Sequence, residues 1–314
     1  MKSSNPISHA IPRRSFLKRS AVTLAGIGAL GVGSSAAFRP AGELTDAGSG
    51  PGDPEAALRV IAYNIYKGTG WPKDGKMATK AYEKGQIPTR LAQELALYEP
   101  DIINFSESPP ESVIKEIAGH LNMNYVIFPS GGNWPGTLLT RFKIVESANA
   151  PVASGKRPED LFTRHWGKAV LQLPAGKTIA VHSAHLYPHD TPEAGEIRRR
   201  EIDEMLQVAS EDIRDNKPAL IMGDLNHTPV MPEYKQWINA GWTDTFAQAG
   251  KGNGMTIKAD KPSKRIDYVL AGGSIAAHVT ESRPLFEGAF RTNPDDPNSF
   301  ALSDHLPQLA VFSL

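Results

Sequence analysis

Five short apolar runs in this sequence adjoin a carboxylate, an amide or an imidazole. Leu58–Tyr63 is followed by Asn64, Asp101–Phe105 by Ser106-Glu107, Ile179–Ala184 by His185, and Leu220–Gly223 by Asp224-Leu225-Asn226. Ser303-Asp304-His305 precedes the last run. Rigid strands that end together aim side chains into one crevice. Asn, Glu, Asp and His together are the inventory of a hard-cation site with a general base. Singly, each has a plainer role. Asn64 and Asn226 suit left-handed turn positions, Glu107 a solvated position before Pro109-Pro110, and Asp224 a local cap. Their joint occurrence points to chemistry.

The elements that must position these residues follow from periodicity. Strands are predicted at Leu58–Tyr63, Asp101–Phe105, Tyr125–Phe128, Thr137–Thr140, Ala169–Leu173, Thr178–Ala184, Ala219–Met222, Ile266–Leu270 and Leu306–Phe312. Helices are predicted at Thr89–Tyr98, Glu111–Leu121 and Pro192–Ser210, the last with proline in its first turn. Strands follow one another without helices between them. That pattern favours an α/β (α+β) sandwich of two sheets flanked by helices, four layers in all, over a doubly wound single sheet. No linker interrupts 58–314, which reads as one domain. Residues 38–57, rich in Gly, Pro, Asp and Ala, read as a linker. The lysine-bearing stretch Lys67–Lys84 reads as a solvated loop. Its functional alternative is a phosphate groove with Trp71 as a stacking platform. Trp134, between Gly131-Gly132-Asn133 and Pro135-Gly136, reads as a rim residue or as loop packing.

Composition narrows the chemistry. Cysteine is absent, which excludes disulfides, a thiolate nucleophile and cysteine-ligated zinc. The start of the chain is expected to be a signal rather than part of the fold. Arg13-Arg14-Ser15-Phe16-Leu17-Lys18 precedes a short apolar stretch, Ala21–Val32, broken by glycines, and Ser35-Ala36-Ala37 offers a cleavage site. The paired arginines look like a twin-arginine export signal, so residues 1–37 are read as a signal peptide and the translocase as a partner during export. The expected location is periplasmic or secreted, in a bacterium. The whole chain has 34 basic and 34 acidic side chains. Residues 1–37 hold five of the basic ones and no acidic one, so 29 basic face 34 acidic in the remainder, a net charge of −5. Nonspecific polyanion binding usually comes with a basic surface, so an acidic chain argues for a small or lipid-linked substrate over a nucleic acid.

Taken in order, the segments resemble the motif set of the endonuclease/exonuclease/phosphatase superfamily, which shares the DNase I-like fold. They are Val60-Ile61-Ala62-Tyr63-Asn64-Ile65, Pro100–Glu107, Ser183-Ala184-His185-Leu186, Gly223-Asp224-Leu225-Asn226-His227-Thr228-Pro229, Arg265-Ile266-Asp267-Tyr268-Val269 and Ser303-Asp304-His305-Leu306-Pro307. Ser106 replaces the family's usual Gln, and Ala184 a common polar residue. The resemblance implies Mg²⁺ or Mn²⁺ held mainly by Glu107, aided by Asn64 and Asp304. It implies that Asp224 positions or deprotonates the attacking water and that Asn226 and His185 bind the phosphate. His305 would stabilise developing charge or take part in acid–base chemistry, with Asp267 accepting a hydrogen bond from it. Whether Asp224 or His305 is the base stays open. His182 is an alternative to His185: three residues apart on a regular strand, the two face opposite ways, and Leu186 favours His185. The implied activity is metal-assisted hydrolysis of phosphodiesters or phosphomonoesters. The alternatives are an exported nuclease and, less favoured, a noncatalytic binding module on the same fold.

Overall fold

A computed structural model describes residues 57–314. The expected signal peptide and all of the expected linker except Ala57 lie outside the described residues. Ala57 itself opens the first strand. The strands are β1 (Ala57–Asn64), β2 (Ile102–Ser106), β3 (Asn124–Phe128), β4 (Gly136–Thr140), β5 (Lys143–Asn149), β6 (Trp166–Gln172), β7 (Thr178–His185), β8 (Ala219–Asp224), β9 (Thr243–Asp244), β10 (Asp267–Gly272), β11 (Val279–Pro284) and β12 (Gln308–Ser313). The α-helices are α1 (Lys76–Glu83), α2 (Ile87–Ala96), α3 (Glu111–Leu121), α4 (Pro192–Asp212), α5 (Pro232–Asn239) and α6 (Thr245–Ala249).

Two mixed six-stranded sheets result, in the orders β11-β12-β1-β2-β4-β3 and β5-β6-β7-β8-β10-β9. Each has one parallel pair near its centre, β1 with β2 and β7 with β8, and antiparallel neighbours around it. A parallel pair needs a crossover. The β1–β2 crossover carries α1 and α2, and the β7–β8 crossover carries α4.

The layers follow from alternation along strands covered on both faces, which is why the central strands read as almost unbroken apolar runs. In β1, Leu58, Val60 and Ala62 join Ile179 and Val181 of β7, Leu220 and Met222 of β8, and Val269 and Ala271 of β10 in a core between the sheets. The intervening Ile61 and Tyr63 pack with Ile87, Leu91 and Leu95 of α2 and Ile114 and Ile117 of α3. On the far side, Ala180, Ala184, Ala219 and Ile221 pack with Ile202, Met205 and Ala209 of α4 and Trp237 of α5. Helices, sheet, sheet and helices therefore stack as the expected four layers.

Several elements differ from expectation. The stretch read as a solvated loop contains α1, whose buried face is only Ala78 and Ala81, while Lys73, Lys76 and Lys80 are exposed. Two alanines leave too weak a stripe to read. The edge strands β5 and β11 also escape the pattern. β5 has no residue buried below the surface layer, and β11 ends in a proline, which edge positions tolerate. No helix among the described residues is long and apolar enough to cross a membrane.

Candidate active site

The same alternation that builds the inter-sheet core delivers its polar end. Asn64 continues the Leu58-Val60-Ala62 face of β1, and Asp224 the Leu220-Met222 face of β8. His185 continues the Ile179-Val181 face of β7, and Asp267 precedes Val269 and Ala271 on β10. Because β1, β2, β7 and β8 end where antiparallel β10 and β12 begin, all these side chains collect at one rim. The register places Asn64 beside Ser106, His185 beside Asp224, and Asp224 opposite Asp267. His182 has the other parity. It faces α4, where one ring nitrogen accepts from Trp166 Nε1 at 3.2 Å and the other lies 2.9 Å from Asp212 Oδ2.

Asp224 is the hub. Asn64 Nδ2 donates to its Oδ2 at 3.1 Å, and the Asn226 backbone N–H donates to its Oδ1 at 3.1 Å. His185 Nε2 and His305 Nε2 stand 3.5 and 3.8 Å from Oδ2. Behind His305, Nδ1 meets Asp267 Oδ2 at 2.8 Å, and Asp267 is fully buried. Two backbone N–H groups, of Ile266 and Asp267, donate to Thr256 Oγ1 at 3.2 and 3.3 Å, which fixes the start of β10. Ser303 Oγ donates to the Asn64 carbonyl at 2.6 Å and accepts the His305 N–H at 3.2 Å, tying the segment before β12 to the end of β1.

Not every expected contact takes the expected form. Asn64 offers its amide nitrogen to Asp224, while its Oδ1 accepts the Tyr66 N–H at 3.1 Å. As a ligand it must use that oxygen. Asn226 sits in left-handed conformation (φ 52°), as a turn asparagine can, and one amide hydrogen goes to the Leu186 carbonyl at 3.0 Å. Its second amide hydrogen remains for a phosphate oxygen. Glu107 is also left-handed (φ 53°), a costly geometry for glutamate that turns its carboxylate towards Asn64 and Asp304.

The electrostatics separate the roles. Burial raises Asp224 to about 7, with Asp267 adding to the rise and the imidazolium of His305 opposing it. For His305, burial opposes the charged form, but the charge and hydrogen bond of Asp267 outweigh it and lift the ring to about 10. Burial holds His185 well below its ordinary value, with His165, Arg164 and His305 adding to the effect, so it is a neutral ring at pH 7. Burial also raises Glu107, and the negative charge of Asp304 pushes the same way against Asn64 and His305.

These observations test whether a divalent cation fits. Among the described residues, one group of three, Asp224, Asp267 and His305, has ligand atoms that all lie within 4.8 Å of one another. There, however, Asp267 holds His305 in its protonated form, and an imidazolium has no lone pair to offer a cation. The better fit is Glu107 with Asp304 beside it: burial and the charge of Asp304 both raise Glu107, and neither carboxylate has a cationic side chain at salt-bridge distance among the described residues. A hard cation held by one or two carboxylates suits that pair.

Sequence reasoning missed several residues around the rim. Arg164, just before β6, bears electrostatically on Glu107, Asp224 and His185. Asn104 lies fully buried on the inter-sheet face of β2, with both amide atoms lacking partners. A polar residue inside Ile102-Ile103-Asn104-Phe105 was its legible signal. Arg164 had none, being one cation among loop residues.

Two stacked mixed sheets with this polar rim define a DNase I-like sandwich. The chain belongs to the Endonuclease/Exonuclease/phosphatase family, which matches residues 61–305. Solved structures share the fold at low identity. A family member from Bacteroides vulgatus is 19% identical with a TM-score of 0.63, covering 82% of this chain and 99% of that one. A mannosyl-6-phosphatase of Bacteroides thetaiotaomicron is 17% identical with a TM-score of 0.61, covering 81% and 98%. A truncated TDP2 of Caenorhabditis elegans is 15% identical with a TM-score of 0.58, covering 82% and 98%. No curated protein matches the sequence.

Proposed function

We propose that this chain is a divalent-metal-dependent phosphoester hydrolase acting on a small phosphoester outside the cytoplasm. The observation that carries the reading is the buried Asp224, set against His185 and an Asp267-backed His305, with Glu107 and Asp304 beside it. Glu107, Asp304 and Oδ1 of Asn64 would hold Mg²⁺ or Mn²⁺. When bound, the ion supplies positive charge to the phosphate oxygens.

The chain's own residues divide the rest. Asp224, raised towards neutrality, accepts a proton from the attacking water. His305, kept protonated by Asp267, donates to the charge that develops on phosphorus-bound or leaving oxygen. His185, neutral, and the spare amide hydrogen of Asn226 orient the phosphate. This assigns the base to Asp224 and the cation to His305, because one imidazole cannot be both.

The preference for a small substrate rests on the net charge of −5 beyond residue 37. The fold likeness to a mannosyl-6-phosphatase is compatible with it and adds no identity of substrate. Export rests on the arginine pair and glycine-broken apolar stretch of residues 13–37. The test is a panel of sugar phosphates, p-nitrophenyl phosphate, bis-p-nitrophenyl phosphate, plasmid DNA and RNA with Mg²⁺ or Mn²⁺. Turnover of the small esters, abolished by EDTA and restored by metal, is expected. Preferential cleavage of DNA or RNA would replace this reading with the nuclease, and no turnover at all with a binding module.

A further inference from the structure

Two cations lie against a single indole at the edge of this site. Lys67 Nζ sits 3.8 Å from the ring centroid of Trp134, and the guanidinium carbon of Arg164 sits 4.1 Å from it. All three side chains are half-buried. Among the described residues, neither cation has a carboxylate at salt-bridge distance, whereas buried Arg198 and Arg265 pair with Glu233 and Asp244. Arg164 Nε is buried and has no hydrogen-bond partner. An indole face offsets part of the cost of a nearby cation, but it does not satisfy a guanidinium N–H, and like charges held around one ring repel.

The arrangement is fixed by backbone. The Lys67 N–H donates to the Glu107 carbonyl at 2.9 Å, which sets that lysine next to the site carboxylates. Trp134 N–H donates to Ser130 Oγ at 2.9 Å. Gly131 and Gly132 donate to the carbonyls of Phe162 and Thr163 at 2.9 and 3.0 Å, so the loop bearing Trp134 is sewn to the segment bearing Arg164. A Cβ on Gly131 would stand 2.8 Å from the Phe162 carbonyl, which is why glycine occupies that position. Beside Lys67 lies an open pocket of ≈ 480 Å³, lined by Ser108, Pro109, Pro110, Ser130 and Asn133 among others. It begins one residue after Glu107.

We propose that Lys67 and Arg164, braced by Trp134, form an anion subsite that takes the second phosphate of a small bisphosphorylated substrate. The proposal rests on the phosphoesterase reading above. The reacting phosphate lies at Asp224, the uncharged body of the substrate packs on the prolines, and the second phosphate supplies the acceptor that Arg164 Nε lacks and a counter-charge for Lys67 Nζ. A guanidinium suits a phosphate because its donors are spaced to match two oxygens.

The test compares glucose 1,6-bisphosphate with glucose 1-phosphate and glucose 6-phosphate as substrates of the Mg²⁺-loaded protein. The bisphosphate should be preferred in kcat/KM. Lys67→Met and Arg164→Met should each cut that preference roughly tenfold to a hundredfold through KM, as expected for loss of a hydrogen bond to a charged group. Arg164→Lys should restore part of it, and Trp134→Phe should retain most of it. Binding is followed separately through tryptophan emission on titration with the bisphosphate, without turnover. An equal loss on mono- and bisphosphates would overturn the proposal by placing Arg164 on the reacting phosphate. Unchanged preference and binding in both Met variants would overturn it too, leaving the stack as loop packing. Absence of turnover on every ester would instead fail the hydrolase reading, and the emission titration would still decide the subsite.

Discussion

Replacing Asp267 with asparagine keeps the shape of the His305 pocket and removes one charge. The pair is short, 2.8 Å from Nδ1 to Oδ2, and both residues are buried. Burial alone would lower His305; the carboxylate holds it at about 10. A hydrogen bond to a charged group contributes about 1.5–3 kcal/mol. At about 1.4 kcal/mol per pKa unit, its loss lowers the ring by roughly one to two units. The sign follows from the raised value. His305 is charged below its pKa, so its contribution is present at low pH and is lost as pH rises through that pKa. The basic limb of the kcat/KM profile should therefore fall from about 10 in the parent to roughly 8–9 in Asp267→Asn. The largest loss should appear above about pH 8–9, where the variant's ring is neutral and the parent's still charged, and should approach the roughly hundredfold range of acid–base contributions. Steady-state hydrolysis across pH measures both, and an imidazole NMR titration reads the ring directly. Because the two residues act as one unit, Asp267→Asn with His305→Ala should be little worse than His305→Ala alone. An unmoved basic limb, or losses that multiply, would refute the coupling.

Three further outcomes are expected. Glu107→Gln should keep the fold and raise the Mg²⁺ concentration needed for half-maximal rate by more than the roughly tenfold to hundredfold seen for groups that only orient ligands; an unchanged Mg²⁺ titration would remove Glu107 from the metal site. Gly223 has φ +146°, and a Cβ there would stand 1.8 Å from the Ala184 carbonyl, so Gly223→Ala should destabilise by at least about 1–3 kcal/mol, the usual range for overpacking, and an unshifted denaturation midpoint would contradict the close β7–β8 approach. Changing Arg13 and Arg14 together to lysine should leave unprocessed precursor in the cytoplasm, and normal export of that variant would count against a twin-arginine route.

What the sequence made legible depends on how each residue is buried. β1, β7 and β8 are covered on both faces, so their apolar runs announce themselves, and the polar residue ending each run stands out. The parity argument that set His185 apart from His182 holds because β7 is regular to its last residue. The α1 helix was invisible because it buries two alanines, and β5 because an edge strand needs no apolar face. Arg164 and the Trp134 stack were invisible for another reason. Lys67, Trp134 and Arg164 meet only through backbone bonds between loops, and loop pairing leaves no period in the sequence.

The charge balance of the rim argues for a cation independently of any likeness. Glu107, Asp224, Asp267 and Asp304 gather around a single imidazolium, His305. Asp267 is compensated by its hydrogen bond to that ring. For Glu107 and Asp224 the favourable contacts of Asn64 and His305 do not outweigh burial, and both are raised, so ionising them carries a cost. A phosphate ester is itself an anion, so its entry into this rim raises that cost further. Lys67 and Arg164, which among the described residues have no carboxylate at salt-bridge distance, lie against Trp134. Positive charge supplied beside Glu107 would lower that cost. Under the proposed reading, a bound cation would also give the phosphate oxygens a partner, so cation and substrate would favour each other's binding.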